Sequence, residues 1–170
     1  MSDKFNSLYC FFEDTTIKIC VREYARLQKI SPPTASTRLH QLSKEGLLSM
    51  TQEYGRKFFS FTRSQLSIEI QRVYWSIRIK ESGLITALDT KYLYPLIILF
   101  GSHCNGSNTR DSDLDLAVVY TSSKEMNLRV YEKKLNRKID LHIFKTPADI
   151  PKNLKASIKN GHILSGRWKE

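Results

Sequence analysis

One turn and one pair of carboxylates in this sequence combine residue types that could bind phosphate and metal. Gly101 and Ser102 follow the apolar segment 94–100, and Asp113 and Asp115 stand two positions apart on a predicted strand. Alternate residues of a strand point to the same face, so the two carboxylates should lie side by side. Adjacent carboxylates raise each other's pKa unless a cation neutralises them. Because oxygen ligands suit Mg²⁺, the pattern predicts a site for Mg²⁺ and the phosphates of a nucleotide.

The spacing within this segment resembles the signature of the minimal nucleotidyltransferases, which are small members of the DNA polymerase β-like superfamily. A Gly-Ser pair is followed by a glycine four positions after the serine, and then by a Ser-Asp-x-Asp-Leu run. The matching residues, within 16 consecutive positions, are Gly101, Ser102, Gly106, Ser112, Asp113, Asp115 and Leu116. The resemblance implies that the glycines and serines among them bind the nucleotide, whereas the two aspartates bind the metal.

The resemblance calls for a third carboxylate on a neighbouring strand, and Asp140 is the candidate. Alternation across residues 138–144 predicts a strand with Asp140 and His142 on one face and aliphatic residues on the other. We interpret His142 as an ordinary strand histidine rather than a ligand. Asp113, Asp115 and Asp140 are therefore the predicted catalytic and metal-binding residues.

The resemblance also implies a reaction. Two metal ions about 4 Å apart would clamp the attacking and leaving oxygens of an in-line displacement at the α-phosphorus. Asp140 would activate the incoming hydroxyl, pyrophosphate would leave, and a nucleoside monophosphate would remain on the acceptor. The expected substrates are Mg²⁺ with ATP or another NTP, and AMP is the group expected to be transferred. Since relatives commonly act as antitoxins that modify a HEPN-type RNase toxin, the acceptor could be a protein of that kind.

The N-terminal third has the pattern of a second folded unit. It predicts a helix over residues 21–27, a second helix over 34–45 ending at Gly46, and a β-hairpin over 47–62 with a basic tip. This order resembles a winged helix-turn-helix, whose second helix enters the major groove of DNA. The candidate DNA-binding residues are Thr34, Thr37, Arg38, Gln41, Lys44, Arg56 and Lys57. A protein-docking or dimerisation role for the same unit stays open.

The predicted architecture is of the α+β class. Residues 1–63 form the winged helix-turn-helix domain, and residues 64–90 form a connecting helix that packs on the C-terminal domain. Residues 91–170 form the nucleotidyltransferase domain, with a mixed β-sheet flanked by helices.

The connecting segment carries apolar residues at helical spacing over residues 64–88. Leu66 and Val73 are expected on the inward side of this helix. The Ser82-Gly83 pair is the point at which the helix could be interrupted.

The composition favours particular partners and a particular compartment. The chain has 170 residues and a formal net charge of +10, which favours polyanionic partners such as nucleotides or nucleic acid. Three cysteines without metal-ligand or disulfide spacing indicate reduced thiols in a cytoplasmic protein. With no secretion signal and no apolar run long enough to span a bilayer, no membrane partner is expected. The connecting helix could also form the seam of a homodimer.

Two other functions are compatible with the sequence. The chain could be a DNA-binding transcriptional regulator whose nucleotidyltransferase domain only binds or senses a nucleotide. Transfer to a small molecule such as an aminoglycoside is less favoured, because such enzymes usually add a helical substrate domain for which this chain is short.

Overall fold

The computed structural model describes residues 3–122 and 126–169 and divides the chain into two compact units. The first unit contains the chain up to residue 71 together with the loop 106–110. The second unit contains residues 72–105 and the chain from residue 111 onward. Among the residues described, no helix has both the length and the apolar character that crossing a membrane requires.

The first unit contains both helices and strands. In chain order they are α1 (Asp3–Glu13), β1 (Lys18–Cys20), α2 (Val21–Gln28), α3 (Pro32–Lys44), β2 (Leu48–Glu53) and β3 (Arg56–Phe61). The strands form an antiparallel sheet in the order β1-β3-β2. The two helices and the hairpin predicted for residues 21–62 are confirmed. The sequence patterns did not indicate α1 and β1, although Leu8, Phe11 and Phe12 have the spacing of a buried helix face.

Local chemistry explains where α3 and the hairpin begin and turn. The Ser31 side chain accepts a hydrogen bond from the N–H of Thr34 and caps α3. The two prolines of the first turn are tolerated because no helical partner is needed there. Tyr54 and Gly55 have φ values of 49° and 73°, the positive angles that a two-residue hairpin turn requires.

The connecting segment forms two helices, α4 (Gln65–Glu81) and α5 (Leu84–Tyr92), rather than one. The break falls at Ser82 and Gly83. Gly83 has a φ of 86°, which a right-handed helix cannot continue through, and the Ser82 hydroxyl accepts a hydrogen bond from the N–H of Leu84. The single helix predicted here is therefore wrong, and the interruption lies where the sequence allowed it.

The inward side of α4 also differs from the prediction. Leu66 and Val73 are 52% and 42% exposed, so their predicted inward placement is wrong. Ser67 and Gln71 are buried instead. Ser67 hydrogen-bonds to Ser64, and Nε2 of Gln71 donates to Oδ1 of Asn108 at 2.6 Å within the first unit. These bonds offset part of the cost of burying the two side chains, while Oε1 of Gln71 has no hydrogen-bond partner among the described residues.

The second unit is built around a four-stranded sheet. After α5 it contains β4 (Leu96–Leu99), α6 (Ser102–Asn105), β5 (Leu114–Val119), α7 (Arg129–Leu135), β6 (Ile139–Phe144), a 3₁₀ turn (Pro147–Asp149), α8 (Lys152–Lys159) and β7 (His162–Ser165). The strand order is β6-β5-β4-β7, with β5 and β6 parallel and the other neighbours antiparallel. The parallel pair needs a crossover connection, and α7 lies within it. The predicted mixed sheet flanked by helices is confirmed.

One face of this sheet is polar only at one end. Along β5, Asp115 is followed on the same face by Ala117 and Val119, which are fully buried. These residues pack with Phe144 of β6 and Ile158 of α8 in the core. The polar side chains therefore gather at the corner where β5 and β6 begin and β4 ends.

Candidate active site

Gly101 follows the end of β4 and lies directly beside the carboxylate of Asp115. The N–H of Phe100 donates to the carbonyl of Asp115 at 3.0 Å, which extends the pairing of β4 and β5 to this point. Gly101 has a φ of +68°, a left-handed conformation that glycine adopts without strain. A Cβ on Gly101 would lie 1.9 Å from Oδ2 of Asp115. The glycine is therefore needed for the position of this carboxylate, in addition to the phosphate contact that the sequence predicts.

Asp115 and Asp140 are register partners on the parallel strands β5 and β6, so their carboxylates lie on the same face. Asp115 is half-buried, whereas Asp140 is exposed. Burial raises the pKa of Asp115, and the charge of Asp140 raises it further. The N–H of Ser102 donates a hydrogen bond to Asp115 and acts in the opposite direction. The remaining repulsion between the two carboxylates is what a divalent cation removes.

His142 belongs to the same group of side chains. One donor atom from each of Asp115, Asp140 and His142 lies within 4.8 Å of the other two, and Nε2 of His142 is 3.1 Å from Oδ2 of Asp140. From the sequence alone, His142 was interpreted as an ordinary strand histidine rather than a ligand. Its position two residues after Asp140 was the available signal, because such residues share a strand face.

Asp113 stands apart from this group. It precedes β5, which begins at Leu114, so the alternation of a strand does not fix its direction relative to Asp115. It is exposed and lies outside the donor cluster found among the described residues. Its charge still raises the pKa of Asp115, so the two carboxylates are close. The role of Asp113 as a metal ligand stays a prediction.

The predicted nucleotide-binding residues are divided between the two units. Ser102 begins α6, and its N–H is engaged by Asp115. Its hydroxyl lies 3.5 Å from Nδ1 of His103 and is the group that could turn to a phosphate. Ser112 is half-buried on the loop that enters β5. Gly106 belongs to the first unit, where a Cβ on it would meet the side chains of Phe61, Ile68 and Gln71. Nucleotide contacts by these residues stay predictions.

His103 is fully buried directly after Ser102. Its ring packs edge-on against Trp75, with centroids 4.6 Å apart, and hydrogen-bonds to the backbone of Asp113. Burial lowers the pKa of His103, and the positive charge of Arg137 lowers it further, to about 4. The imidazole is therefore neutral at pH 7 and joins the turn to the loop that carries Asp113.

We expect His103 to make stability depend on pH. The unfolded chain takes up a proton near the ordinary pKa of 6.5, whereas the folded protein keeps this imidazole neutral down to about 4. The free energy of unfolding should therefore fall as the pH drops through this window, by about 3 kcal/mol from this residue. His103→Gln should flatten that part of the profile in urea unfolding curves recorded from pH 7 to pH 4.

His162→Gln is the matched control for that experiment. Burial lowers the pKa of His162 as well, so this variant should change the profile in the same direction. The change should be smaller, because His162 is only half-buried. Superimposable profiles for the wild type and His103→Gln would contradict the assignment.

The candidate DNA-binding residues lie on the outer side of α3 and on the hairpin. The exposed ones are Thr34, Thr37, Gln41, Lys44, Arg56 and Lys57. Arg38 is only half-exposed, and its side chain hydrogen-bonds to the buried Tyr24. Gln41 donates to Glu45, which places a carboxylate beside the exposed face of α3. Contact with DNA stays a prediction.

A cleft of about 300 Å³ lies between the start of α2 and the hairpin. Its lining residues are Cys20, Val21, Arg22, Arg56 and Lys57. Sequence reasoning did not select Arg22, because its proximity to the hairpin depends on how the chain folds back. The positive charges of Arg22, Arg56 and Lys57 make this cleft suitable for binding an anion.

Residues 84–170, just over half of the chain, match the model of a protein family described as Polymerase beta, Nucleotidyltransferase. The matched segment contains the Gly101-Ser102 turn and all of the acidic and histidine side chains of the corner described above. No curated protein and no solved structure matches the chain.

Proposed function

Because this chain belongs to the polymerase beta nucleotidyltransferase family, we propose that it transfers a nucleoside monophosphate, AMP from ATP, to a hydroxyl group of an acceptor. The observation that carries the proposal is the register pair Asp115 and Asp140 beside the Gly101-Ser102 turn. This arrangement combines a place for a divalent metal with a place for a triphosphate at one corner of the sheet.

The side chains at this corner fit Mg²⁺, the ion expected for such a transfer. Donor atoms of Asp115 and Asp140 lie within 4.8 Å of each other, and their repulsion contributes to the raised pKa of Asp115. Asp113 supplies a third carboxylate close enough for its charge to act on Asp115. When bound, the ion would neutralise these carboxylates and the triphosphate. A second ion beside Asp140 is part of the same proposal.

The residues of the chain would orient the reactants. The Ser102 hydroxyl donates to an oxygen of the β- or γ-phosphate, as donors do in other anion-binding turns. Asp140, whose side chain is 55% exposed, accepts the proton of the acceptor hydroxyl. That oxygen forms a bond to the α-phosphorus as the bond to pyrophosphate breaks. Positioning and charge neutralisation supply most of the catalysis in such transfers.

Labelled ATP tests this proposal. With Mg²⁺ present, label at the α-phosphate should become covalently bound to an acceptor, whereas label at the γ-phosphate should leave in pyrophosphate. Covalent transfer of the γ-label would indicate a kinase and overturn the proposal. Saturable ATP binding with transfer of neither label would support the alternative, a DNA-binding regulator that senses nucleotide.

The proposed acceptor and protein partner rest only on the resemblance to the minimal nucleotidyltransferases. A HEPN-type RNase toxin is the first candidate acceptor, and label on a purified protein of that class would support it. A homodimer and a cytoplasmic location complete the proposal. The proposed location rests on the three cysteines, whose positions show no disulfide spacing.

We further propose that the first unit binds DNA as a winged helix-turn-helix. The order α2-α3-β2-β3 and the exposed polar face of α3 support this, as does the net charge of +10. In such a complex α3 would enter the major groove, while Lys44, Arg56 and Lys57 would contact phosphates.

DNA binding should be measured as a salt-dependent electrophoretic shift of the DNA upstream of the gene. Each of Lys44→Ala and Arg56→Ala should weaken binding and reduce the salt slope by about 0.9 if one phosphate contact is lost. Lys155→Ala, an exposed lysine of α8 in the second unit, is the charge-matched control. Arg38→Ala is a poorer probe, because Arg38 also contacts Tyr24. Equal binding by the wild type, Lys44→Ala and Arg56→Ala would contradict these phosphate contacts. Salt-insensitive or absent binding would argue for a docking role instead.

A further inference from the structure

The aspartate pair of the active-site corner has a nitrogen donor beside it. We propose that His142 joins Asp115 and Asp140 as a protein ligand of the metal site, and that the site therefore binds a first-row transition-metal ion such as Mn²⁺ more tightly than Mg²⁺. This inference rests on the proposed function, since it concerns the metal of the same site.

The donor atoms have suitable spacing. Nε2 of His142 lies 3.1 Å from Oδ2 of Asp140, and one oxygen of Asp115 completes a triangle with no side above 4.8 Å. Two ligands bound at right angles to one ion at a little over 2 Å are about 3 Å apart. One ion could therefore be bound by His142 and Asp140 together without moving either strand.

The imidazole ring is held in this orientation by its neighbours. Its centroid is 5.3 Å from that of Phe100, and it stacks nearly parallel to Phe144, with an interplanar angle of 6° at 6.4 Å. His142 pairs with Ala117 on β5, whose small side chain leaves room for the ring. The side chain is 26% exposed, so solvent and an ion can reach its nitrogen.

The donor set determines which ions suit the site. Mg²⁺ takes oxygen ligands and keeps several waters, whereas imidazole nitrogen suits transition-metal ions. Mn²⁺ suits carboxylate oxygen as Mg²⁺ does, and as a first-row transition-metal ion it gains more than Mg²⁺ from a nitrogen ligand. Adding the imidazole to the two carboxylates should therefore favour Mn²⁺ over Mg²⁺ more than the carboxylates alone would.

Electron spin-echo envelope modulation of bound Mn²⁺ tests the ligation directly. The full-length protein is loaded with Mn²⁺ in the absence of nucleotide, because adenine would add its own nitrogen. Modulation from ¹⁴N should appear in the wild type and in His162→Gln, whose half-buried histidine lies outside the donor group. It should be absent in His142→Gln.

Metal affinities provide the second readout. Mn²⁺ binding is titrated by following the electron paramagnetic resonance signal of unbound Mn²⁺, with Mg²⁺ as competitor. His142→Gln should lose at least about tenfold in Mn²⁺ affinity. Mg²⁺ affinity should change by less than about twofold. His142→Asp, which restores an oxygen donor, should bind Mg²⁺ more tightly than His142→Gln does. Either His142 variant can be used if the other fails to fold.

Absent ¹⁴N modulation in the wild type, or equal losses for both ions in His142→Gln, would overturn the proposal and leave His142 as a residue that only positions Asp140. The outcome is separable from that of the proposed function. Transfer of α-label without nitrogen ligation would leave the transferase standing and remove His142 from the metal site. Nitrogen ligation without transfer would do the reverse.

Discussion

Asp115→Asn should abolish nucleotidyl transfer while leaving the metal-free protein at least as stable as the wild type. The substitution removes one charge from the metal site, and losing several kcal/mol of charge stabilisation corresponds to a fall of about 10³-fold in rate. The amide keeps the shape of the side chain and can still accept the hydrogen bond from Ser102. The initial rate of α-label transfer and urea unfolding in EDTA measure the two effects.

The stability of Asp115→Asn should also depend on pH in a defined direction. Burial and the charge of Asp140 raise the pKa of Asp115, so the folded wild type binds more protons than the unfolded chain as the pH falls toward that pKa. The wild type is therefore penalised at neutral pH, and this penalty disappears below the ordinary value of 3.8. The stability advantage of Asp115→Asn should be present at pH 7 and shrink on acidification.

Asp111→Asn is the charge-matched control for this prediction. Asp111 is an exposed carboxylate on the loop before β5 and lies outside the donor cluster of the described chain. Its removal should leave most of the transfer rate intact. A clear loss of stability in Asp115→Asn at pH 7, or transfer at the wild-type rate, would contradict the placement of Asp115.

Gly101→Ala should lower both transfer and stability. A left-handed φ costs about 1–2 kcal/mol for a residue with a Cβ, and the added atom would lie 1.9 Å from Oδ2 of Asp115. The carboxylate must then move, and a displacement of about 1 Å at a reacting centre can cost 10²-fold in rate. We expect a decrease of at least about 10²-fold in transfer, together with weaker Mn²⁺ binding and a lower free energy of unfolding.

Gly83→Ala separates backbone strain from the contact with Asp115. Gly83 has a φ of +86°, and nothing lies within 4 Å of a Cβ built on it. The free energy of unfolding of this variant should fall only by the cost of a left-handed φ at a residue with a Cβ. Its metal affinity should stay unchanged. If Gly101→Ala lost no more stability than Gly83→Ala and transferred label normally, the close approach of Gly101 to Asp115 would be wrong.

Several helices and strands could be predicted from the sequence because the residues that define each one lie next to each other in the chain. The Ser31 cap and the apolar spacing of Ala35 and Leu39 indicate α3, and the turn residues Tyr54 and Gly55 indicate the hairpin. The apolar run into Gly101 indicates β4. Each of these signals lies within a few residues of the chain, so the predicted elements did not depend on tertiary contacts.

Elements that depend on distant partners could not be predicted in this way. Gln71 is buried although it is polar, and its amide donates to Asn108, which is 37 positions away in the sequence. The apolar Val73, two positions later, is exposed. The Asn108 side chain in turn donates to the carbonyls of Phe12 and Glu13. These bonds hold the loop 106–110 in the first unit. The motif of residues 101–116, although continuous in the sequence, is therefore divided between the two units.

The sequence by itself determined that this chain carries a Gly-Ser turn followed by two nearby aspartates, and it named Asp140 as their companion. Only the tertiary structure decided which side chains share the site. The parallel register of β5 and β6 pairs Asp115 with Asp140 and Ala117 with His142. That register pairs two strands whose partners are 25 positions apart in the sequence and which the α7 crossover joins. The spacing along one strand therefore does not contain it. For this reason His142 joins the carboxylates, and Asp113, which precedes the strand, lies outside their donor group.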